Sequence, residues 1–174
     1  MEIKGTGFTL RNWRESDTPA LQRLADNPKI AANLYNRFPS PYTMEDAEFF
    51  INLNINEQPA KTFVIDIDGE FAGTIGLTFR DDVFTRSPLF GYWLGEPYWG
   101  RGIMSEAARL VTQYAFQTFD IICLQAGVFS YNPASMRVLE KAGYAKLAIL
   151  KGAVFKNGQV LDEHIYMAYP PANN

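Results

Sequence analysis

The 174-residue chain holds one cysteine and one histidine. Common zinc sites draw three or four ligands largely from those two residue types, so such a site is excluded. A single cysteine closes no internal disulfide, and nothing points to an oxidising compartment. A Ser-His-Asp or Cys-His site would have to run through His164. Long apolar runs are also missing. The longest uninterrupted one is 165–169, against the ~20 residues a membrane helix needs. The opening segment MEIKGTGFTL lacks the apolar region of a signal peptide. Neither charge sign dominates: 16 Lys and Arg face 19 Asp and Glu, a net −3. That balance argues against nucleic-acid binding by bulk charge. The expectation is a cytoplasmic protein with no metal, no nucleic-acid partner and no membrane partner.

What is present is ordinary for a folded domain: 47% hydrophobic and 20% charged residues. The length suits a single domain over 1–174. Strand patterning begins at 8–13. Ser16 reads as the N-cap of a helix over 17–26, with Pro19 in its first turn. A short helix follows over 28–35, then a proline-bearing loop at 38–43. Thr43 and Asp46 resemble a capping box opening a helix over 44–56. Asp68-Gly69, between two β-rich runs, signals a hairpin. A strand at 88–95 precedes a helix at 103–118, where Ile103, Ala107, Leu110, Val111, Tyr114 and Ala115 share one face. Segment 121–130 reads as a buried strand. Asn132-Pro133 opens a fifth helix that ends at Gly143. Two last strands, 144–156 and 159–169, meet at Asn157-Gly158. The class is α+β around one mixed sheet.

The chemistry concentrates in YWGRGIMSEA (98–107). Gly100 and Gly102 lie between a strand and a helix, where glycine permits a tight turn and close approach of a ligand to the backbone. The helix start behind them offers unpaired N–H groups and about half a positive charge. Together these suit a pyrophosphate, and Arg101 adds a full charge. Spacing alone leaves a second reading open, a turn that needs glycine only for packing. No Gly-Lys-Ser/Thr occurs, so this is not a Walker loop. The third glycine of a dinucleotide fingerprint is missing, and GTG at 5–7 lies before a strand.

Five segments, LRNWRESD (10–17), FPSPYT (38–43), GYWLGEPYWGRGIMSEA (91–107), NPASMRVLEKAGY (132–144) and DEHIYM (162–167), resemble the GNAT acyl-CoA-dependent N-acyltransferases, and within them the RimJ/RimL branch that acetylates ribosomal-protein N-termini. The resemblance implies a GNAT fold: a mixed, mostly antiparallel seven-stranded sheet flanked by helices, with a central splay holding CoA. It implies acetyl-CoA as cosubstrate and direct acetyl transfer to a primary amine, such as a ribosomal or other protein N-terminus. Trp93 and Leu94 would border the pantetheine arm, with the Leu94 backbone N–H as oxyanion donor. Trp99, Gly100, Arg101, Gly102, Ile103, Met104 and Ser105 would form the pyrophosphate loop. Asn132 would contact the CoA arm, Ser135 would protonate the leaving thiolate, and Arg137, spaced i,i+4 from Lys141, would reach CoA phosphates. Acetylation of a small amine (polyamine or aminoglycoside type) and a non-catalytic acyl-CoA sensor are the alternatives. The assembly would be a monomer or homodimer.

The pattern departs from the family in three places. Trp99 stands where the motif has Gln or Arg, and Met104 where it has a second Gly or Ala. Leu139 occupies the usual tyrosine acid position, which leaves Ser135 as candidate acid. Leu89 occupies the usual glutamate base position, which leaves Glu96, Asp81 and Asp82 as the nearest carboxylates. A site without a strong base favours an acceptor of low pKa, an α-amine over a lysine. Phe38, Tyr42 and Phe49 are candidate acceptor-cleft residues. His164 reads as a hydrogen-bonded structural histidine facing the same side as Tyr166, and Cys123 as a buried apolar side chain.

Overall fold

The computed structural model describes residues 1–171. The chain resolves into two compact units. The first holds Met1–Gly76 and Tyr92–Ala107; the second holds Leu77–Gly91 and the chain from Ala108 onward. The strands form one mixed sheet of eight, where seven were expected. The added strand is the first.

In the first unit, β1 (Glu2–Gly5) and β2 (Phe8–Arg11) make an antiparallel hairpin. Next come α1 (Thr18–Ala25), α2 (Pro28–Ala31) and α3 (Met44–Asn54). Strands β3 (Thr62–Ile67) and β4 (Glu70–Thr78) follow, and β2, β3 and β4 pair antiparallel in that order. Asp68 and Gly69 both take positive φ (55° and 88°) at the β3–β4 turn, as the hairpin signal required. The Thr43–Asp46 capping box is present: Asp46 N–H donates to Thr43 Oγ1 at 3.2 Å and Thr43 N–H to Asp46 Oδ2 at 2.8 Å. Trp13, Leu21, Ala47, Ile51, Val64 and Phe71 form the core between helices and strands. Burying Leu21 alone, 1% exposed, stabilises the unit by about 2 kcal/mol.

Ser16 is exposed and does not cap α1. The chain makes a 3-10 turn at Glu15–Asp17, and Asp17 is the N-cap. The reason lies in charge. Asp17 accepts from Arg11 Nη2 at 2.7 Å, from Nη1 at 2.8 Å and from the Arg14 N–H at 2.8 Å. Arg11 Nε donates to Asp66 Oδ2 at 2.6 Å. Burial alone would lower the Arg11 pKa, but its bonds with Asp17 and Asp66 outweigh burial and raise it. LRNWRESD thus supplies two members, Arg11 and Asp17, of a buried ion network completed by Asp66.

Strand β5 (Leu89–Leu94) begins in the second unit and ends in the first; its first residue pairs in parallel with β6 (Leu124–Phe129) at Leu89↔Gln125. Helix α4 (Ile103–Thr118), which starts in the first unit, continues in the second with Ala108, Val111 and Ala115 fully buried. Asn132 caps α5 (Pro133–Lys141), and Gly143 follows at φ +94°. Strands β7 (Ala145–Lys156) and β8 (Gln159–Ala168) form the closing hairpin. β8 pairs antiparallel with β6, and β7 lies outside β8 as an edge strand. Tyr166, fully buried, donates to Glu140 Oε1 at 3.0 Å. Among the described residues no helix is long and apolar enough to cross a membrane.

Candidate active site

The loop between β5 and α4 is built around backbone handedness. Gly100 and Gly102 have φ +78° and +77°. A Cβ added at either would meet no atom within 4 Å. A turn that used glycine for close packing would crowd these positions; instead the space beside both is open. Arg101, exposed between them, donates from Nη2 to Pro97 O at 3.1 Å, with its guanidinium 5.6 Å from the Tyr98 ring centroid. Ile103 and Met104 bury their side chains and seat the first turn of α4, while Ser105 is half-buried. The first N–H groups of a helix have no intrahelical carbonyl. Those of the α4 start, under the positive end of a 16-residue helix, fit a diphosphate.

β5 meets β4 tightly just before this loop. A Cβ on Gly73 would lie 2.4 Å from Trp93 O, so no side chain fits there. Gly95 N–H donates to Ala72 O at 2.8 Å. The Trp93 C=O and the Gly95 N–H therefore face β4. By strand alternation Leu94 directs its N–H and C=O away from it. The Leu94 carbonyl accepts from Trp99 Nε1 at 2.7 Å. Trp99 thus ties the end of β5 to the loop that follows it.

Glu96 opens the 3-10 turn Glu96–Tyr98. It accepts from Asn27 Nδ2 at 2.8 Å and pairs with Lys29. The Lys29 bond, then that of Asn27, holds its carboxyl below the ordinary value of 4.5. A carboxylate stabilised in its charged form is a weaker base. Asp81 and Asp82 are both exposed in the loop before β5. Leu89 is half-buried and brings no carboxylate to its strand.

In the second unit, Ser135 N–H donates to Asn132 Oδ1 at 3.2 Å at the head of α5. Both residues are half-buried, and Arg137 is exposed one turn on. Leu139 is fully buried. Cys123 is buried, its Sγ 3.0 Å from Ser87 Oγ. His164 sits in β8 opposite Val128 and Ile149. Its Nδ1 is buried without a hydrogen-bond partner, contrary to the expected bonding of that residue.

Among the aromatic candidates, Phe38 lies 5.0 Å from Tyr42 and 6.0 Å from Trp93, centroid to centroid. Burial, then the charge of Asp46, pushes the Tyr42 hydroxyl up to about 12. Phe49 is 66% exposed on the outer side of α3 and does not join them. Among the described residues no group of three or more His, Cys, Asp or Glu could hold a metal ion. Sequence reasoning missed Asn27, Lys29 and the indole bond of Trp99. The first two stand 69 and 67 positions from Glu96, and no local pattern marks them.

A sequence model described as an acetyltransferase (GNAT) domain matches residues 8–145. A relative named "Probable N-acetyltransferase YjcK", from Bacillus subtilis, is 40% identical over 58% of this chain, and the match spans 55% of that relative's length. The spermidine N(1)-acetyltransferase of Escherichia coli K12 is 29% identical over 86% of this chain and 79% of its own. Among solved structures, RimL, the ribosomal L7/L12 alpha-N-protein acetyltransferase in complex with coenzyme A, superposes with a TM-score of 0.82 at 26% identity, covering 99% of this chain and 100% of that one. With a family model matched over most of its length and the left-handed glycine loop at the head of α4, the chain belongs to the GNAT acetyltransferase domain family.

Proposed function

We propose that this GNAT-type N-acetyltransferase moves the acetyl group of acetyl-CoA to a primary amine, and that its preferred acceptor is the α-amine of a protein or peptide. The observation that carries the donor half is the open cradle at Gly100 and Gly102 heading α4. Residues 99–105 hold the pyrophosphate by backbone N–H groups, and Arg101 adds charge. The Leu94 N–H, directed away from β4, polarises the thioester carbonyl. The amine attacks that carbon, the C–N bond forms, the C–S bond breaks, and the proton shed by nitrogen ends on the CoA sulfur. Ser135, at the capped head of α5, delivers it. Asn132 and Arg137 add contacts to the CoA arm and its phosphates.

The acceptor half rests on the weakness of the candidate bases. Leu89 offers no carboxylate, and Glu96 is held in its charged form by Lys29 and Asn27. Deprotonating an α-amine with pKa near 8 costs about 1.4 kcal/mol at pH 7, whereas a lysine-type amine near 10.4 costs about 4.6. The difference, about 3 kcal/mol, is a factor of a few hundred in reactive amine. The spermidine acetyltransferase among the relatives supports a second reading, a polyamine acceptor. That acceptor carries alkyl amines of the costlier kind.

The test is CoA thiol release at pH 7 with equal concentrations of three acceptors: a peptide with a free N-terminus, an N-blocked lysine peptide and spermidine. The proposal expects release with the first to exceed the other two by at least tenfold. Faster release with spermidine supports the polyamine reading. Tight acetyl-CoA binding with no acceptor-dependent release supports a sensor.

A further inference from the structure

The loop that bears the glycine cradle is held at both ends by the rest of the first unit. At its start, Gly95 N–H donates to Ala72 O at 2.8 Å, and a Cβ on Gly95 would come within 3.1 Å of Leu24 on α1. Beyond the cradle, Thr6 at the β1–β2 turn donates its N–H and its hydroxyl to Glu106 Oε1, at 3.1 and 3.2 Å. Between these anchors stands Glu96. One of its oxygens accepts from Asn27 Nδ2 at 2.8 Å; the other pairs with Lys29 Nζ. Asn27 is itself fixed, because its Oδ1 caps α2 by accepting from the Lys29 N–H at 2.9 Å. Two residues of one helix start therefore converge on one carboxylate, four residues ahead of Gly100.

We propose that Glu96 is a positioning residue: with Asn27 and Lys29 it fastens the start of α2 to the head of the β5–α4 loop and holds the Gly100–Gly102 cradle in the shape that accepts acyl-CoA. The proposal rests on the acyl-CoA reading of that loop. It removes Glu96 from the proton-transfer path and gives it a different task. The pair is largely open to water, with side-chain exposures of 65% for Lys29 and 38% for Glu96. Exposed pairs add little to folding stability, so the variants should fold, and an effect on binding can be read separately.

The experiment measures CoA affinity by calorimetry, acetyl-CoA KM, kcat and thermal melting for E96A, K29M and the exchanged pair K29E/E96K. E96A is expected to weaken CoA binding and raise KM by about fivefold, near the upper reach of one exposed ion pair, with kcat within twofold of wild type. K29M should show a smaller shift of the same kind. The exchanged pair restores the ion pair but not the Asn27 bond, since an ammonium accepts nothing, so it should recover part of the lost affinity, which a purely steric role of Glu96 would not produce. Wild-type CoA affinity in folded E96A overturns the proposal. So does a fall in kcat of a hundredfold or more at unchanged KM, which marks Glu96 as the base. Wild-type protein that fails to bind CoA at all overturns the acyl-CoA reading and this proposal with it.

Discussion

Gly102→Ala separates a ligand cradle from a structural turn. The wild-type residue has φ +77°, and the new Cβ would meet no protein atom within 4 Å. The only cost within the chain is backbone strain, about 1–2 kcal/mol for a left-handed non-glycine residue. In a chain of this size each 1 kcal/mol moves the melting temperature by about 2–4 °C. If the open space belongs to the pyrophosphate, the methyl group competes with it, and at least one charge-assisted N–H bond is lost. That loss is about 2 kcal/mol, or roughly thirtyfold in CoA affinity. Gly69→Ala is the matched control. Gly69 has φ +88° and equally open surroundings, but it sits in the β3–β4 turn. Both variants should melt a few degrees below wild type. Calorimetry should find CoA binding roughly thirtyfold weaker in G102A and unchanged in G69A. Equal CoA affinity in wild type, G69A and a folded G102A would refute the assignment of the cradle.

Three more outcomes follow from the same structure. Asp17→Ala strips two hydrogen bonds from the buried Arg11 guanidinium and should cost about 3 kcal/mol or more of unfolding free energy; a denaturant midpoint within error of wild type would contradict the network. Leu89→Glu restores a carboxylate at the family's usual base position and should raise thiol release with spermidine at pH 7 more than release with a free N-terminus, at least tenfold against threefold or less; an unchanged ratio would undercut the argument from missing base. Asp162 accepts from the Gly152 N–H at 2.9 Å and from Lys151, which hold its carboxyl below the ordinary value. A lowered folded pKa means that its stabilising contribution is complete above the unfolded value, 3.8, and fades as pH falls through the lowered one. Asp162→Asn should lose that acid-side slope, and amide exchange at 150–154 should become independent of pH-driven opening there; identical acid melting profiles would contradict it.

Much of the fold is written in local pattern. The 3.6-residue stripe in 103–118 became α4 with the same bounds. Asp68-Gly69 and Asn157-Gly158 became hairpin turns with positive φ, because few residues tolerate that conformation. The first hairpin has no such signal: its strands are four residues each, and its turn, with Gly7 at φ +75°, lies in a GTG segment that resembles a fragment of a nucleotide motif. Of the candidate site, the sequence makes legible the positions where backbone conformation demands glycine and where α5 needs an Asn cap. The site is not legible where function depends on charges far apart in sequence. Ser16 has the residue type of a cap, but Arg11, itself paired with Asp66, holds Asp17 in that place. Glu96 has the residue type of a base, but its partners Lys29 and Asn27 lie far from it in sequence.

Acetyl transfer to an α-amine, at a site whose candidate bases are weak, is distinguishable from transfer to lysine. A peptide carrying one free N-terminus and one internal lysine tests it within a single molecule. After incubation with acetyl-CoA and the protein at pH 7, tandem mass spectrometry locates the acetyl group. Acetylation is expected at the N-terminus, with lysine modified at least tenfold less. Acetylation confined to the lysine, or none beyond the protein-free control, would contradict that expectation.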